Sequence, residues 1–456
     1  MSSEQTSLSQ RAIYTQRFGY ATSDTAGQLL FTCISFYLLK FYTDIAGLSA
    51  LVAGNILLAA RLIDALDAPL WGIVFERVKS RWGKSRPWFL WLSVPFGVAG
   101  ILTFATPDLS ESNKVIYAAT TYILCSVIYT GINTPVTSIL SSLTRNPQQR
   151  LVLTSFRMVG SKVGVLIVNA TLLPFIAYFG NGNDKRGIFI ATTIYAIGAV
   201  ILFLVAFATL EERVTEAPTS GISKNSFAAI AGNWPWWIIV TSSLFFWVAF
   251  IARISVVPYF FQYVWHRSDL TPVANSLEIV SLVSIVLIPW LCSHTSKCAV
   301  WAFGLIGSVI AQVIIYAGVM TESLPVVFVG WIASILTAAF AMIMPFSLLA
   351  DSVDYGEWKS GVRAAGLLSA LGAAFCLKAG SGLGGALPAW ILSATHYQAN
   401  QVQSAEAIGG INFAFVWVPA IFYFLALLPV MFYRRFEAME PQIASELEAR
   451  RLNASL

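Results

Sequence analysis

Apolar residues run through this chain in stretches of about 20, the length a helix needs to cross a hydrocarbon core of about 30 Å. Residues 187–210, GIFIATTIYAIGAVILFLVAFATL, contain no charged side chain. The runs are continuous, whereas strands of a membrane barrel are about 10 residues long and alternate apolar with polar. The pattern predicts spans over 18–43, 48–75, 88–106, 114–140, 151–179, 187–210, 235–262, 271–292, 298–319, 324–350, 364–394 and 409–433. The longest internal polar stretch, 211–233, divides them six and six. The expected fold is an all-α membrane protein with twelve transmembrane helices in two six-helix bundles. Residues 1–210 make the first bundle, 211–233 a cytoplasmic middle loop, 234–433 the second bundle and 434–456 a cytoplasmic tail.

Composition agrees. The 456 residues are 57% hydrophobic and 11% charged, where a soluble domain carries about 25% charged residues. Residues 1–17 lack the apolar core of a cleavable leader, so the first span is expected to target the chain. Charge distribution sets the orientation. Segments 1–17, 76–87, 141–150, 211–233, 293–297, 351–363 and 434–456 hold eighteen Lys and Arg. The opposite loops hold four: Lys114, Lys185, Arg186 and Arg267. The positive-inside rule then places both termini in the cytoplasm, with a bacterial inner membrane as the expected setting. The five cysteines share no ligand spacing such as CxxC and read as small apolar packers, with no metal site.

Several charges fall where lipid would not tolerate them. Lys40, Arg61, Arg157, Lys162, Arg253 and Lys378 lie inside expected spans, as do Asp24, Asp64, Asp67 and Glu278. Each costs about 2.5–3.5 kcal/mol near mid-membrane on insertion scales. Leucines would remove that cost, so a hydrated cavity or ion path is the expected reason. Interhelical ion pairs that only fix packing are the alternative. The densest group is Arg61, Asp64 and Asp67, whose spacing of three puts each pair on neighbouring turns of one helix face. Two carboxylates there repel if both ionise, and a bound H+ or Na+ relieves the repulsion. Arg61 could instead neutralise one of them permanently.

In the fourth span, Pro135 removes a backbone donor close to Thr130 and Asn133. The freed carbonyls suit a sugar or a cation, or form only a packed kink. Lys378 lies more than two turns from either end of its run, too deep to snorkel easily. A carboxylate or an anionic ligand is its expected partner. Gly380-Ser-Gly382-Leu-Gly-Gly385 matches GxGxxG but has no strand before it. Small residues at that spacing let membrane helices approach closely. His266, His294 and His396 share no spacing, and Trp88, Trp265 and Trp358 read as interface anchors. Residues 434–456 resemble a short amphipathic helix with no assigned function.

Several motifs occur in a recognisable order: Phe41-Tyr-Thr-Asp44 with Gly47-Leu-Ser49, Arg61-Leu-Ile-Asp64-Ala, Ser80-Arg-Trp-Gly-Lys-Ser-Arg-Pro-Trp88, Thr144-Arg-Asn-Pro147 with Arg150, and Ala350-Asp-Ser-Val-Asp354-Tyr-Gly-Glu-Trp358. Over nearly its whole length the chain resembles the glycoside–pentoside–hexuronide:cation symporters, the family of the melibiose permease within the major facilitator superfamily. The resemblance implies roles. Asp64 matches the principal cation-binding carboxylate, Thr130 a hydroxyl beside it, and Lys378 a lysine that reaches both cation and sugar sites. Gln28 and Arg157 match sugar-contacting positions, and Arg61 is grouped with them. Gly72, Glu76, Arg77 and Arg81 fall in the cytoplasmic loop motif that latches one state, and Asp351 and Asp354 are grouped with that gating set.

Two departures from the family pattern bear on substrate and ion. The second cation carboxylate of sodium-using members aligns with Ala68; Asp67, one residue earlier, points about 100° away around the helix. A protonatable Asp64, helped by Asp67, therefore fits H+ better than Na+. Asn133 stands where galactoside carriers have an aspartate, as in glucuronide- and xyloside-type members. With more bases than acids inside the spans, an anionic sugar becomes attractive: a hexuronide or a sulfonated sugar, paired with Lys378 or Arg157. The expected activity is uptake of a sugar with a cation by alternating access, with no enzymatic step, no cofactor beyond the coupling ion, no nucleic-acid partner, and function as a monomer in the lipid bilayer. A loosely coupled uniporter or exporter is the rival, and a membrane-embedded enzyme or sensor a remote one.

Overall fold

The computed structural model describes residues 10–77, 80–144, 147–212, 230, 232–361, 368 and 370–454. Among these the regular structure is helical throughout, with no strand. The first six helices are α1 Gln10–Lys40, α2 Ala50–Arg77, α3 Arg86–Thr103, α4 Glu111–Leu143, α5 Pro147–Gly180 and α6 Asp184–Thr209. Seven more follow: α7 Trp234–Val264, α8 Leu270–His294, α9 Lys297–Met320, α10 Leu324–Ser360, α11 Cys376–Ala394, α12 Ala405–Glu437 and α13 Glu440–Ala454. Among the described residues eight, α4 to α10 and α12, are long and apolar enough to cross a membrane. Polar residues punctuate them. Asn183, Ser296 and Ser404 accept from backbone N–H groups at the starts of α6, α9 and α12, which satisfies donors the helix cannot.

The chain forms two compact units, residues 1–52 with 66–219, and residues 53–65 with 220–456. In the first, α1 packs on α5 and α6, and α3 on α4 and α6. The α1–α5 approach is close because Gly160 and Gly164 leave no side chain in the way. A Cβ at Gly160 would run into the backbone of Ala21, and one at Gly164 would lie 2.8 Å from Gln28 Cβ. Thr25 Oγ1 also donates to the Gly160 carbonyl at 2.8 Å. Small residues are what bring membrane helices this near, since lipid supplies no hydrophobic force between them.

In the second unit α7 lies between α11 and α12, and α9 packs on α10. Arg253, one of the bases expected in a span, is fully buried. Its guanidinium donates to Ser334 Oγ and lies over the Trp331 ring, 4.7 Å from the centroid. Here the buried charge is held by a hydroxyl and an aromatic face. Cys376 donates to the Val240 carbonyl, and all five cysteines are free thiols.

Two features at helix ends were not anticipated. The tenth span was expected to stop at 350, but α10 continues to Ser360 and ends at Gly361, whose φ of 73° suits the left-handed stop that glycine accepts. The extra turns hold because they are amphipathic. Val353 and Tyr355 are buried with Phe436, Ile443 and Leu447 of α12 and α13. Trp358, expected at a membrane interface, donates its indole N–H to Glu446 at 2.6 Å, and Arg450 donates to the Trp358 carbonyl at 2.9 Å. Lys297 joins the same region, with Nζ 2.7 Å from Asp351 and 3.2 Å from Glu440. Burial and the neighbouring Asp351 carboxylate push Glu440 above the usual range despite Lys297, while the Trp358 indole holds Glu446 below it.

The second feature is Glu212, just after α6. Its carboxylate accepts from the backbone N–H groups of Lys84, Ser85 and Arg86 at 2.9, 2.6 and 2.7 Å, at the N-terminus of α3. Gly83, at φ 107°, is required there, since a Cβ would lie 2.5 Å from the Glu212 carboxyl carbon. Hydrogen bonds to a charged group contribute about 1.5–3 kcal/mol. Glu212→Gln should therefore destabilise the protein by about 2 kcal/mol and lower its melting temperature in detergent. An unchanged melting temperature would show the tether to be incidental.

Candidate functional site

The candidate residues fall into two constellations, one in each unit. In the second unit, the 53–65 stretch of α2 lies against α11. Asp64 is buried at 2% exposure. Arg61 Nη1 stands 3.3 Å from Asp64 Oδ2, and Lys378 Nζ stands 3.2 Å from Asp64 Oδ1. Lys378 also donates to the Asp64 backbone carbonyl. The partner expected for Lys378 is thus a carboxylate, and it is Asp64. Arg61, grouped with the expected sugar contacts, pairs with the same carboxylate. Two cations thus bracket one buried acid.

In the first unit, Arg157 of α5 meets Asp24 of α1, with Nε 3.3 Å from Oδ2. The pair is mostly buried, with side-chain exposures of 24% and 12%. The glycine approach of α5 to α1 is what makes this contact possible. The resemblance offered no partner for Arg157, and Asp24 was noticed only as a charge inside a span. Gln28, one turn further along α1, accepts weakly from Thr32 at 3.4 Å. Arg157, Asp24 and Gln28 thus occupy one face of the α1–α5 pair.

On α4, Thr130 is buried and Asn133 half-buried. The helix stays continuous through Pro135. Thr134 Oγ1 donates to the Thr130 carbonyl at 2.8 Å, so that carbonyl already has a partner. The neighbouring Tyr129 stacks on Phe31 of α1 with centroids 4.9 Å apart. Asp67, also buried, belongs to the first unit.

For the gating set, Gly72, Glu76 and Arg77 lie on α2, but their side chains fall outside the described residues, as does that of Ala68. Arg81 is exposed and lies over the Trp82 ring at 4.5 Å. Asp351 is ion-paired to Lys297, and Asp354 is half-buried one turn further along α10.

The family described as MFS/sugar transport protein matches residues 19–434 of this chain. The chain belongs to that family. It is similar to the isoprimeverose transporter of Lactiplantibacillus pentosus, at 38% identity over 95% of this chain and 91% of that protein. The inner membrane symporter YicJ of Escherichia coli (strain K12) is 31% identical over 91% of this chain and 90% of its own length. Among solved structures, a bacterial homologue of the lysosomal transporter Spinster superposes with a TM-score of 0.71 at 12% identity, covering 96% of this chain and 99% of the other. That likeness concerns the fold. Members of this family move solutes across membranes and are not enzymes, and the chain is a membrane transport protein of the sugar-carrier class.

Proposed function

We propose that the protein is a sugar or glycoside symporter in which a cation competes with Lys378 for Asp64. The observation that carries this is the bracketed carboxylate. An acid buried against an arginine and a long, withdrawable lysine can exchange one internal cation for an external one. Asp67 and Thr130 are assigned to the same cation function, with H+ preferred because Ala68 supplies no second carboxylate. The printed names of the relatives, an isoprimeverose transporter and a symporter, support sugar cargo and cation coupling.

The substrate reading follows from charge. Arg157 is balanced by Asp24, so that pair suits neutral sugar hydroxyls, together with Gln28 and Asn133. The Arg61–Asp64–Lys378 group sets two cations around one carboxylate, a setting that suits a hexuronide or sulfonated sugar. The anionic preference therefore rests on Lys378 rather than Arg157. Alternating access by two bundles, 1–210 and 234–433, with both termini cytoplasmic in a bacterial inner membrane and a monomer as the working unit, completes the proposal.

A loosely coupled uniporter or exporter is favoured by one specific feature. Lys378 already satisfies Asp64, so the carrier could reorient without any external cation. A thermal-shift screen of the purified protein against neutral glycosides, uronides and sulfonated sugars, with and without Na+ and across pH, separates the readings. A ligand at 100 times its Kd stabilises the folded state by about 2.7 kcal/mol. We expect an anionic sugar to raise the melting temperature more at low pH than at high pH. A shift with galactosides alone would overturn the substrate assignment, and shifts independent of pH and Na+ would favour uniport.

A further inference from the structure

The glycine run of α11, set aside above as a nucleotide motif, has two working faces. A Cβ at Gly380 would lie 2.6 Å from Trp247 Cβ, and one at Gly384 would lie 2.7 Å from the Val248 carbonyl, both on α7. Gly382 and Gly385 face the 53–65 stretch of α2 instead. A Cβ at Gly382 would lie 2.8 Å from Arg61 Cβ, and one at Gly385 would lie 3.5 Å from Leu57 Cδ1. Further along, a Cβ at Gly54 would lie 2.7 Å from Ala389 Cβ, and Trp390 Nε1 donates to Asn55 Oδ1 at 3.0 Å.

Together with the Lys378–Asp64 hydrogen bond, these contacts define an antiparallel seam. Residues 64, 61, 57 and 54 of α2 meet 378, 382, 385 and 389 of α11 in turn. The steps of three and four keep each set on one helix face. Lys378 and Gly382 are one turn apart, so a tight contact between the two helices adjoins the ion pair. Arg61, whose Cβ meets Gly382, is also the second cation on Asp64.

We propose that Gly382 is a positioning residue for ion coupling: by allowing α11 to lie against Arg61, it sets how firmly Lys378 holds Asp64, and so how readily an external cation displaces it. This rests on the assignment of Asp64 as the cation site. Among the described side chains, the charged groups on the packed elements are Arg61 and Asp64, with Asp67 on the next turn of α2, Lys378 on α11 and Arg253 on α7, the last turned to α10. A methyl group at Gly382 meets the root of the Arg61 side chain, which cannot swing away, so the helices must separate locally. Moving a charge pair from about 4 to about 5 Å at an effective dielectric of about 20 weakens its attraction by roughly fourfold in equilibrium terms.

The test is a glycine-to-alanine series in the full-length protein. Melting temperature is followed over pH and over added NaCl without sugar, with Asp64→Asn as the blank. Gly382→Ala should lower the ion concentration at half-saturation about fourfold. Gly385→Ala, whose methyl group meets only ordinary contact distance, should stay within about twofold of wild type, by the same reasoning. Gly384→Ala, which presses on the α7 backbone, should lower the melting temperature without moving the half-saturation point. If Gly382→Ala does not fold, Gly385→Val supplies a second wedge and should shift half-saturation in the same direction. A folded Gly382→Ala with wild-type half-saturation, or an equal shift from Gly385→Ala, overturns the role of Gly382. An ion response in Asp64→Asn identical to wild type overturns the site assignment itself.

Discussion

Asp64→Asn is expected to abolish uphill sugar accumulation, while downhill exchange of the same sugar should persist. The expectation follows from the electrostatics of a buried acid. Asp64 lies within 3.3 Å of both Arg61 and Lys378, and its side chain is 3% exposed. The amide is nearly the same size, so packing is kept, but it cannot take a proton or replace one counter-charge by another. On the proposed coupling, the ion gradient then has nothing to act on. The accumulation ratio in right-side-out vesicles should fall to one, a complete loss rather than a slowing. Two cations also lose the carboxylate between them, and removing one partner of a buried pair costs about 3–5 kcal/mol. Asp64→Asn should therefore be poorly stable, and adding Lys378→Gln should recover yield without recovering accumulation. Uphill uptake by Asp64→Asn at the wild-type rate would remove Asp64 from the coupling step.

Much of the helical architecture was readable in the residues, and the unreadable part has a physical pattern. Apolar runs of helical length locate the helices because a membrane imposes a fixed thickness on each. The depth of Lys378 in its run required a partner, and the acid of the Arg61–Asp64 pair supplied it. Its identity depended on which helices adjoin, a relation across 314 positions that no local pattern encodes. Asp24 illustrates the same limit. It was visible as a charge inside a span, but its pairing with Arg157 depends on the register of α1 on α5. A signal existed: Gly160 and Gly164 follow Arg157 at helical spacing and mark the face by which α5 approaches a neighbour. The length of α10 was also legible, since Val353 and Tyr355 continue an apolar face beyond Leu349. Counting charges there hid it. Glu212 could not have been foreseen, because a carboxylate on three backbone N–H groups leaves no trace in the types of residues that donate them.

The Asp24–Arg157 pair allows a test in which stability and transport separate. Arg157→Gln leaves the Asp24 carboxylate mostly buried without its cation, and Asp24→Asn leaves Arg157 in the same position. Breaking a buried pair by removing one partner costs about 3–5 kcal/mol, toward the lower end here because Arg157 keeps some exposure. Each single variant should show a marked fall in melting temperature and yield. The double variant Asp24→Asn with Arg157→Gln leaves no lone charge, so it should recover most of the lost stability. A coupling energy of about 2 kcal/mol or more is expected from the cycle. Transport should not recover with it. If the pair holds sugar hydroxyls through charge-assisted bonds, neutral amides give weaker ones, and uptake should stay at least about tenfold below wild type in all three variants, a loss of about 1.4 kcal/mol of binding. A double variant that regained both stability and uptake would assign the pair to helix packing alone, and would leave sugar recognition to Gln28, Asn133 and the group around Lys378.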